Sequence, residues 1–432
     1  MKRQIMILSA ACVALTALAD PNDPQVALVS AVQDYERVLT IRYTLDEPAI
    51  VTFDVKTNGV SIGAEHLKTA YGDLHRVVAA TGEGETRTIS WPAYESWPDH
   101  RFGRDVVSVT VTAWATNSPP DYMVIKLVGE DKGARTFYTS PEWMPGAGGV
   151  TNDMYKTDYL VMRRIPAAGK TFRMGSPKSE AGSGDYSASE SLHYVTLTND
   201  FYMSVFEFTA GQFRNITRNF DEFESDRAAY ESTSICVSTE APNLPIDCYP
   251  CSSLRGTGRQ WPGDGHDLDV AAPLALIRSA LGLATLDLPT ESEWEFACRA
   301  GTLSARYDGT EYIKGNDGVA SLAWYGSSWA DVPHPVGLLK PNSYGLYDMY
   351  GNVAEWCLDR YTWVSASAGS TLIAPVGPNS SDTGTERVVR GYHVNCGGNT
   401  QHFRSAFRKN YAFDYSMNIW YDRLGYRLVC TF

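Results

Sequence analysis

Residues 342–356 read Asn342-Ser343-Tyr344-Gly345-Leu346-Tyr347-Asp348-Met349-Tyr350-Gly351-Asn352-Val353-Ala354-Glu355-Trp356. In this loop-like stretch, Asp348 and Glu355 contribute carboxylates, and the backbone near Gly351 and Val353 contributes carbonyl oxygens. Hard oxygen atoms of this kind are the ligands that Ca²⁺ takes in proteins. These four positions therefore predict one calcium site. The competing interpretation is that the two carboxylates only cap and hydrogen-bond the backbone.

Two capping boxes predict short helices on the N-terminal side of this stretch. Thr290 with Glu293, and Thr209 with Gln212, each place a hydroxyl three residues before a Glu or Gln. Such a pair satisfies two backbone N–H groups at a helix start. Gly301 is placed to end the later helix. Short helices among many Gly, Trp and Tyr residues indicate a loop-rich α+β domain from about residue 158 onward.

Further sequence blocks share the order and span of one known family. Together with residues 342–356, they resemble the formylglycine-generating-enzyme (sulfatase-modifying factor) family. The resemblance implies an elaborated C-type-lectin-like fold for residues 158–432, with calcium at the positions named above. The blocks are 172–176 (FRMGS), 193–197 (HYVTL), 201–203 (FYM), 288–297 (LPTESEWEFA), 387–391 (RVVRG) and 424–428 (LGYRL).

The same resemblance implies an incomplete oxidase site. Active members of the family bind a cuprous ion through two cysteines and oxidise a substrate cysteine to formylglycine; soft thiolates suit this metal. Here Cys396 falls at the first catalytic position, but the second falls on or beside Gln401. Tyr392 and His393 replace a Gly and a Ser of the family motif. One thiolate cannot supply linear two-sulfur coordination, so copper binding is disfavoured.

A different metal site is the alternative at this position. His393 or His402 could join Cys396, since imidazole also binds copper or iron. The simpler interpretation is that both histidines are polar loop residues on a binding surface, because motif matches carry a high false-positive risk.

The segment from Tyr392 to Asp422 is rich in Tyr, Asn, Phe, His, Ser and Asp. This composition resembles antibody paratopes, in which aromatic side chains provide rigid contact area. It also resembles the C-terminal variable regions of proteins diversified by retroelements, and an ordinary aromatic loop is the competing interpretation. We therefore predict a C-terminal surface that binds an exported protein or a glycan. Its residues are Tyr392, His393, Asn395, His402, Phe403, Tyr411, Tyr415, Trp420 and Tyr421.

The cysteines outside that segment lead to two further expectations. In active relatives, a disulfide joins the helix that begins in the block corresponding to residues 288–297 to the last strand. The resemblance therefore implies a bridge between Cys298 and Cys430. Cys248 and Cys251 have CxxC spacing, but there is no second pair and no histidine at ligand spacing, which disfavours zinc.

The N-terminus predicts export. Lys2 and Arg3 precede an apolar run over residues 5–18, and Ala17 and Ala19 form an A-x-A pattern. These features are typical of a secretory signal peptide over residues 1–19. The mature chain is then expected to be secreted, periplasmic or at the cell surface, without insertion in the membrane.

Residues 20–140 alternate apolar and polar positions between turn-forming residues, with no convincing helix. The pattern predicts an all-β sandwich of immunoglobulin or fibronectin type, a module that spaces, orients or adheres. The Gly-rich run near residues 145–149 predicts a linker over residues 141–157.

Charge restricts the classes of partner. The 432-residue chain has a formal net charge of −13, whereas nucleic-acid binding requires a basic footprint. We therefore expect an exported binding module. The alternative is an active oxidase that converts a cysteine of an exported sulfatase, or of a related protein, to formylglycine.

Overall fold

The structure is a computed structural model. The chain divides into two compact units, Met1–Val124 with Arg135–Asn152, and Ile125–Ala134 with Asp153–Phe432. The structure describes residues 6–7, 23–34, 36–100, 107–180, 189–217, 241–247, 250–257, 261, 265–312, 318–326, 331–361, 371–373, 385–414 and 423–431.

The first unit contains two antiparallel sheets. Alternating side chains such as Ile41, Tyr43, Val51 and Phe53 are buried in its core, as expected for strands with one face turned inward. The β-rich prediction is confirmed, and the immunoglobulin-type topology stays a prediction. The strands recorded from the N-terminus to the boundary are Met6–Ile7, Val26–Gln33, Val38–Leu45, Ala49–Thr57, Val60–Ser61, Tyr71–Gly72, Val77–Val78, Arg87–Pro92, Val107–Trp114, Tyr122–Lys126 and Arg135–Tyr138.

Two one-turn helices, Ala64–Leu67 and Ala93–Ser96, lie among these strands, so the prediction of no helix was wrong. Each is too short to produce a helical period in the sequence. Leu67 and Ala93 are fully buried, which fixes both turns against the core.

The stretch predicted as a linker has ordered structure instead. It contains three 3₁₀ turns, Pro141–Trp143, Gly149–Thr151 and Asp153–Lys156. Trp143 packs edge-on against Phe53, with ring centroids 5.8 Å apart, in the core of the first unit. Apolar residues between the glycines hold this segment in place, which the Gly-rich composition concealed.

The second unit combines short sheets with four helices among its described residues. Its helices are Ala210–Thr217, Cys251–Arg255, Pro273–Leu281 and Glu291–Arg299, and two 3₁₀ turns span Val319–Ser321 and Thr400–His402. Its strands are Tyr159–Ile165, Thr171–Met174, His193–Thr196, Phe201–Ser204, Ala323–Trp324, Tyr350–Gly351, Ala354–Arg360, Thr371–Ile373, Glu386–Arg390, Arg408–Ala412, Leu424–Gly425 and Val429–Cys430.

One four-stranded sheet brings together parts of three of the sequence blocks, 342–356, 387–391 and 424–428. Ala354–Arg360 pairs with Glu386–Arg390 on one side and with Leu424–Gly425 on the other. Arg408–Ala412 pairs with the outer edge of Glu386–Arg390. The end of the 342–356 stretch is therefore a central strand rather than a loop.

Both predicted capping boxes are confirmed. The Thr290 hydroxyl accepts from the Glu293 amide at 3.2 Å, and the Glu293 carboxylate accepts from the Thr290 amide at 2.8 Å. The side chains of Thr209 and Gln212 form the same reciprocal pair. The later helix, Glu291–Arg299 (the central helix), ends at Ala300 in the left-handed region, one residue before Gly301. Among the described helices, none is long and apolar enough to span a membrane.

Candidate functional site

Asn342 anchors the stretch from which the fold was predicted. Its side-chain amide donates to the carbonyls of Ala297 and Cys298 at the end of the central helix. Its Oδ1 accepts from the backbone amides of Tyr344 and Leu346. One buried side chain therefore gives hydrogen bonds to carbonyls at the end of a helix, which have no partners within the helix, and accepts hydrogen bonds from the loop that follows Asn342.

The turn at residues 348–352 depends on left-handed backbone positions. Gly351 has a φ of 75°, and a Cβ added there would lie 2.2 Å from the Trp324 carbonyl oxygen. Asp348 and Asn352 have φ angles of 54° and 58°, which Asp and Asn tolerate better than most residues. The Asn352 side chain donates to Glu207 Oε2 at 2.6 Å.

Glu355 lies in a closed ion pair. Arg427 Nη2 and Nε each donate to a different oxygen of its carboxylate at 2.7 Å, and Trp294 Nε1 also donates to it at 2.6 Å. All three side chains are fully buried. The Arg427 guanidinium provides the positive charge opposite Glu355, where the sequence predicted a calcium ion.

The predicted calcium ligands therefore do not fit that metal. Both carboxylate oxygens of Glu355 already accept hydrogen bonds from Arg427. The described residues contain no group of three His, Cys, Asp or Glu side chains that could hold a metal. The Val353 backbone amide donates to Glu207 Oε1 at 3.0 Å. Asp348 Oδ2 accepts from the Gly337 amide at 2.7 Å. The interpretation that these carboxylates cap and hydrogen-bond matches the geometry.

Asp348 is nevertheless unusual in its protonation. Its Oδ1 is buried and has no hydrogen-bond partner among the residues that the structure describes. Burial raises the pKa of Asp348 to about 6, and the nearby Glu355 carboxylate adds to the rise. Burial also raises the pKa of Glu207 well above its usual value. The sequence analysis missed Glu207 and Arg427, which lie outside the 342–356 stretch.

Cys396 is a buried thiol with backbone contacts. It is 1% exposed, and its sulfur donates to the Gly326 carbonyl at 3.4 Å. Burial raises the pKa of this thiol, which keeps it protonated at neutral pH. Cys396 is a free thiol, as are the other described cysteines, Cys251, Cys298, Cys357 and Cys430. Gln401, at the second position predicted from the sequence, offers an amide in place of the second thiolate that a cuprous ion requires.

The residues around Cys396 form an aromatic cluster. The Tyr392 ring lies 4.4 Å from the ring of His393 and 4.3 Å from that of His402. Phe407 packs edge-on against Tyr392, with centroids 5.4 Å apart. Burial lowers the pKa of His393 to about 3 and that of His402 to about 4, so both imidazoles are neutral. His393 Nδ1 has no hydrogen-bond partner.

This arrangement corrects most of the predicted binding surface. Apolar packing around Cys396 draws the aromatic side chains inward, and five of the nine predicted residues are buried. Tyr411 is half-buried, with its ring edge-on to Trp356 at 6.2 Å. Tyr415, Trp420 and Tyr421 lie outside the described residues. The buried five are Tyr392, His393, Asn395, His402 and Phe403.

The predicted disulfide does not form. Cys298 is a free thiol, and its sulfur donates to the Ser405 hydroxyl at 3.7 Å. The Cys430 sulfur instead lies 3.8 Å from the Met162 sulfur. The displacement of the last cysteine relative to the family pattern therefore places it against a different neighbour.

Comparisons with known proteins identify one domain family and several similar chains. Residues 161–432 match the sulfatase-modifying factor enzyme 1-like domain. The formylglycine-generating enzyme of Thermomonospora curvata is 36% identical over 119 residues, which are 25% of this chain and 38% of that enzyme. PvdO from Pseudomonas aeruginosa is 22% identical with a TM-score of 0.44, over 63% of this chain and 94% of PvdO. Treponema denticola variable protein 1 is 21% identical with a TM-score of 0.45, over 63% and 95%.

The match to the Thermomonospora enzyme and the match to the domain family cover different lengths of sequence. The local match spans well under half of the Thermomonospora enzyme, whereas the domain match covers more than half of this chain and includes the capping boxes, the 342–356 stretch and Cys396. The chain belongs to the sulfatase-modifying factor enzyme 1-like domain family.

Proposed function

We propose that this chain is an exported member of its family that binds a ligand or a protein and does not oxidise cysteine. One observation carries the proposal: Cys396 occupies a catalytic position of the family as a buried thiol, and the second position falls at Gln401. The Cys396 sulfur donates to a backbone carbonyl, and burial raises its pKa. Such a thiol is a poor metal ligand and a poor nucleophile.

The side chains beside Cys396 support the same proposal. Tyr392 and His393 stack in the space that smaller residues occupy in the family motif. Both are buried, so the region around the thiol is filled by packing. A substrate peptide would have to displace these rings before it reached the sulfur.

The proposed partner is an exported protein or a glycan bound at the C-terminal lectin-like surface. Tyr411 is a half-buried aromatic residue that could contact it. Diversification of this surface between related chains is part of the proposal. The N-terminal β-rich unit would then act as a spacer, and the signal peptide over residues 1–19 would direct export.

Competition for cuprous copper tests the proposal. Purified protein is titrated with Cu(I) held by bicinchoninate, and we expect the wild type to leave the copper on the chelator. A Gln401→Cys variant adds a thiol at the second position and is the positive comparison. One copper per chain, bound by the wild type and by Cys357→Ala but lost in Cys396→Ala, would contradict the proposal.

The second candidate function is formylglycine generation in an exported sulfatase or related protein. The 36% identity to the Thermomonospora enzyme and the presence of Cys396 at a catalytic position favour it. It requires a second thiol from elsewhere in the chain. Cys236 and Cys248 lie outside the described residues.

A further inference from the structure

A cavity of about 440 Å³ lies in the second unit, at the strand Thr171–Met174 and the end of the central helix. Its size falls within the range of small-molecule sites, roughly 300–1,000 Å³. It is built from residues that the candidate site does not use. Cys396 and the aromatic cluster around it do not line it.

One wall of the cavity is aromatic and already in place. The ring of Phe172 packs edge-on against Phe296 with centroids 5.2 Å apart, and Tyr344 lies 6.3 Å from Phe296. Phe296 is in the hydrophobic core, and the other two pack against that core. A ligand that enters would meet a fixed apolar surface, so little ordering cost would oppose its binding.

The mouth of the cavity adds exposed apolar surface. Tyr194 is 38% exposed and Leu303 is 64% exposed, and both line the cavity. Exposed apolar side chains that converge on one concavity are typical of binding sites. A flat apolar group could rest between them and the wall.

Two cations beside the wall lack partners. In the described part of the chain, neither the Lys170 nor the Arg173 side chain has an ion pair or hydrogen bond, and both line the cavity. Arg299, also at the cavity, is by contrast held by Glu295 and by the carbonyls of Gly175 and Ser304. Two unpaired cations on a chain of net charge −13 are complementary to an anion.

Asp200, three residues after Leu197 in the same unit, is paired elsewhere. Asp200 accepts from Arg164 Nη2 at 2.8 Å and from the Ala168 amide at 2.8 Å. Its charge is therefore committed to another arginine. The positive charge at Lys170 and Arg173 stays available to a ligand.

We propose that this cavity binds a small ligand in which an aromatic ring carries a carboxylate or sulfate group. The ring would lie against Phe172, Phe296 and Tyr344, and the anion would pair with Arg173 and Lys170. The inference goes beyond the proposed function, because the cavity shares no lining residue with the C-terminal surface and takes a ligand of its own chemistry.

Calorimetric titration with 2-naphthoate tests the inference. We expect saturable binding to the wild type, and at least about tenfold weaker binding of the neutral analogue 2-naphthalenemethanol, which corresponds to about 1.4 kcal/mol. Arg173→Gln and Lys170→Gln should each weaken 2-naphthoate several-fold. Their matched controls, Arg42→Gln and Lys178→Gln, remove exposed cations away from the cavity and should change nothing.

A second variant keeps the test independent of charge. Leu303→Trp places a larger side chain at the exposed mouth, where it should reduce binding without altering the thermal unfolding of the protein. Absence of 2-naphthoate binding to the wild type, or equal binding by the wild type, Arg173→Gln and Leu303→Trp, would overturn the inference. A peptide such as Glu-Phe-Glu that bound more tightly than 2-naphthoate would also overturn it, in favour of a protein ligand.

The outcomes separate this inference from the proposed function. If copper binds in a Cys396-dependent way while 2-naphthoate also binds, the non-oxidase proposal fails and the cavity assignment stands. If neither binds, only the cavity assignment fails.

Discussion

Asp348 is the residue whose chemistry departs furthest from what its type suggests. In sequence it is a carboxylate in a turn, and in the structure its Oδ1 is buried without a partner while Oδ2 accepts from Gly337. Burial raises the pKa of Glu207 and of Asp348, and the negative charge of neighbouring carboxylates adds to both rises. Burial and neighbouring charge therefore both favour protonation of Asp348.

We predict that this carboxyl makes stability depend on pH. Because its folded-state pKa of about 6 lies above the usual 3.8, the folded state binds the proton more tightly. The contribution of Asp348 to stability is then greatest below pH 4, falls as pH rises from about 4 to 6, and is level above that. The loss corresponds to about 3 kcal/mol.

Urea unfolding of the wild type and Asp348→Asn at pH 4.5 and 7.5 measures this effect. Asn tolerates the left-handed backbone and can keep the bond from Gly337, so the variant should gain stability relative to the wild type as pH rises. The same stability difference between the two proteins at both pH values would show that Asp348 does not titrate in this range.

Sequence reasoning identified Asp348 and Glu355 but assigned them to a metal. Residue type and spacing indicate oxygen atoms, and they do not reveal which cation lies opposite. Arg427 is 72 residues after Glu355 along the chain, and only the pairing of Ala354–Arg360 with Leu424–Gly425 brings the two side chains together.

Local elements were the most predictable part of the fold. The capping box at Thr290 depends on residues three positions apart, so sequence alone predicts it. We expect Thr290→Ala to lower the free energy of unfolding by about 1 kcal/mol, because the Glu293 backbone amide loses its side-chain acceptor. The exposed turn variant Thr310→Ala is the control and should change it little. Equal losses in the two variants would contradict a specific role for the cap.

Pairing between strands that lie far apart in the sequence leads to a prediction of a larger effect on stability. Arg427→Met leaves the Glu355 carboxylate buried and unpaired, so we expect a loss of about 3–5 kcal/mol in the free energy of unfolding. Adding Glu355→Gln removes the buried charge and should restore part of that loss. Chemical unfolding of both variants provides the measurement. A double variant less stable than Arg427→Met alone would contradict this account of the pair.

Elements that depend on tertiary contacts were predicted less well. The turns between residues 141 and 157 are held by buried Met144, Val150 and Tyr155, although glycines dominate the local sequence. The aromatic segment that begins at Tyr392 has the composition of a binding loop. Its rings pack on Phe403 and Phe407 instead, because the core provides apolar partners that composition alone does not reveal.

At the scale of the whole molecule, the order of the sequence blocks determined the family, and individual side chains determine what the domain can do. The chain retains the helix caps, the central sheet and the buried ion pairs of its second unit. Cys396 is a buried thiol, and Tyr392 and His393, near it in the chain, are buried as well. The proposal of binding without oxidation rests on these side chains.

The central claim is tested most directly by an assay for aldehyde formation. Protein is incubated with cuprous copper and a cysteine-containing sulfatase-type peptide under oxygen, and the product is captured with an aminooxy probe and measured by mass spectrometry. Because one protonated, buried thiol cannot hold the cuprous ion, we predict no aldehyde above the level of peptide alone. Aldehyde that forms with the wild type and disappears with Cys396→Ala would contradict the account and establish the chain as an oxidase.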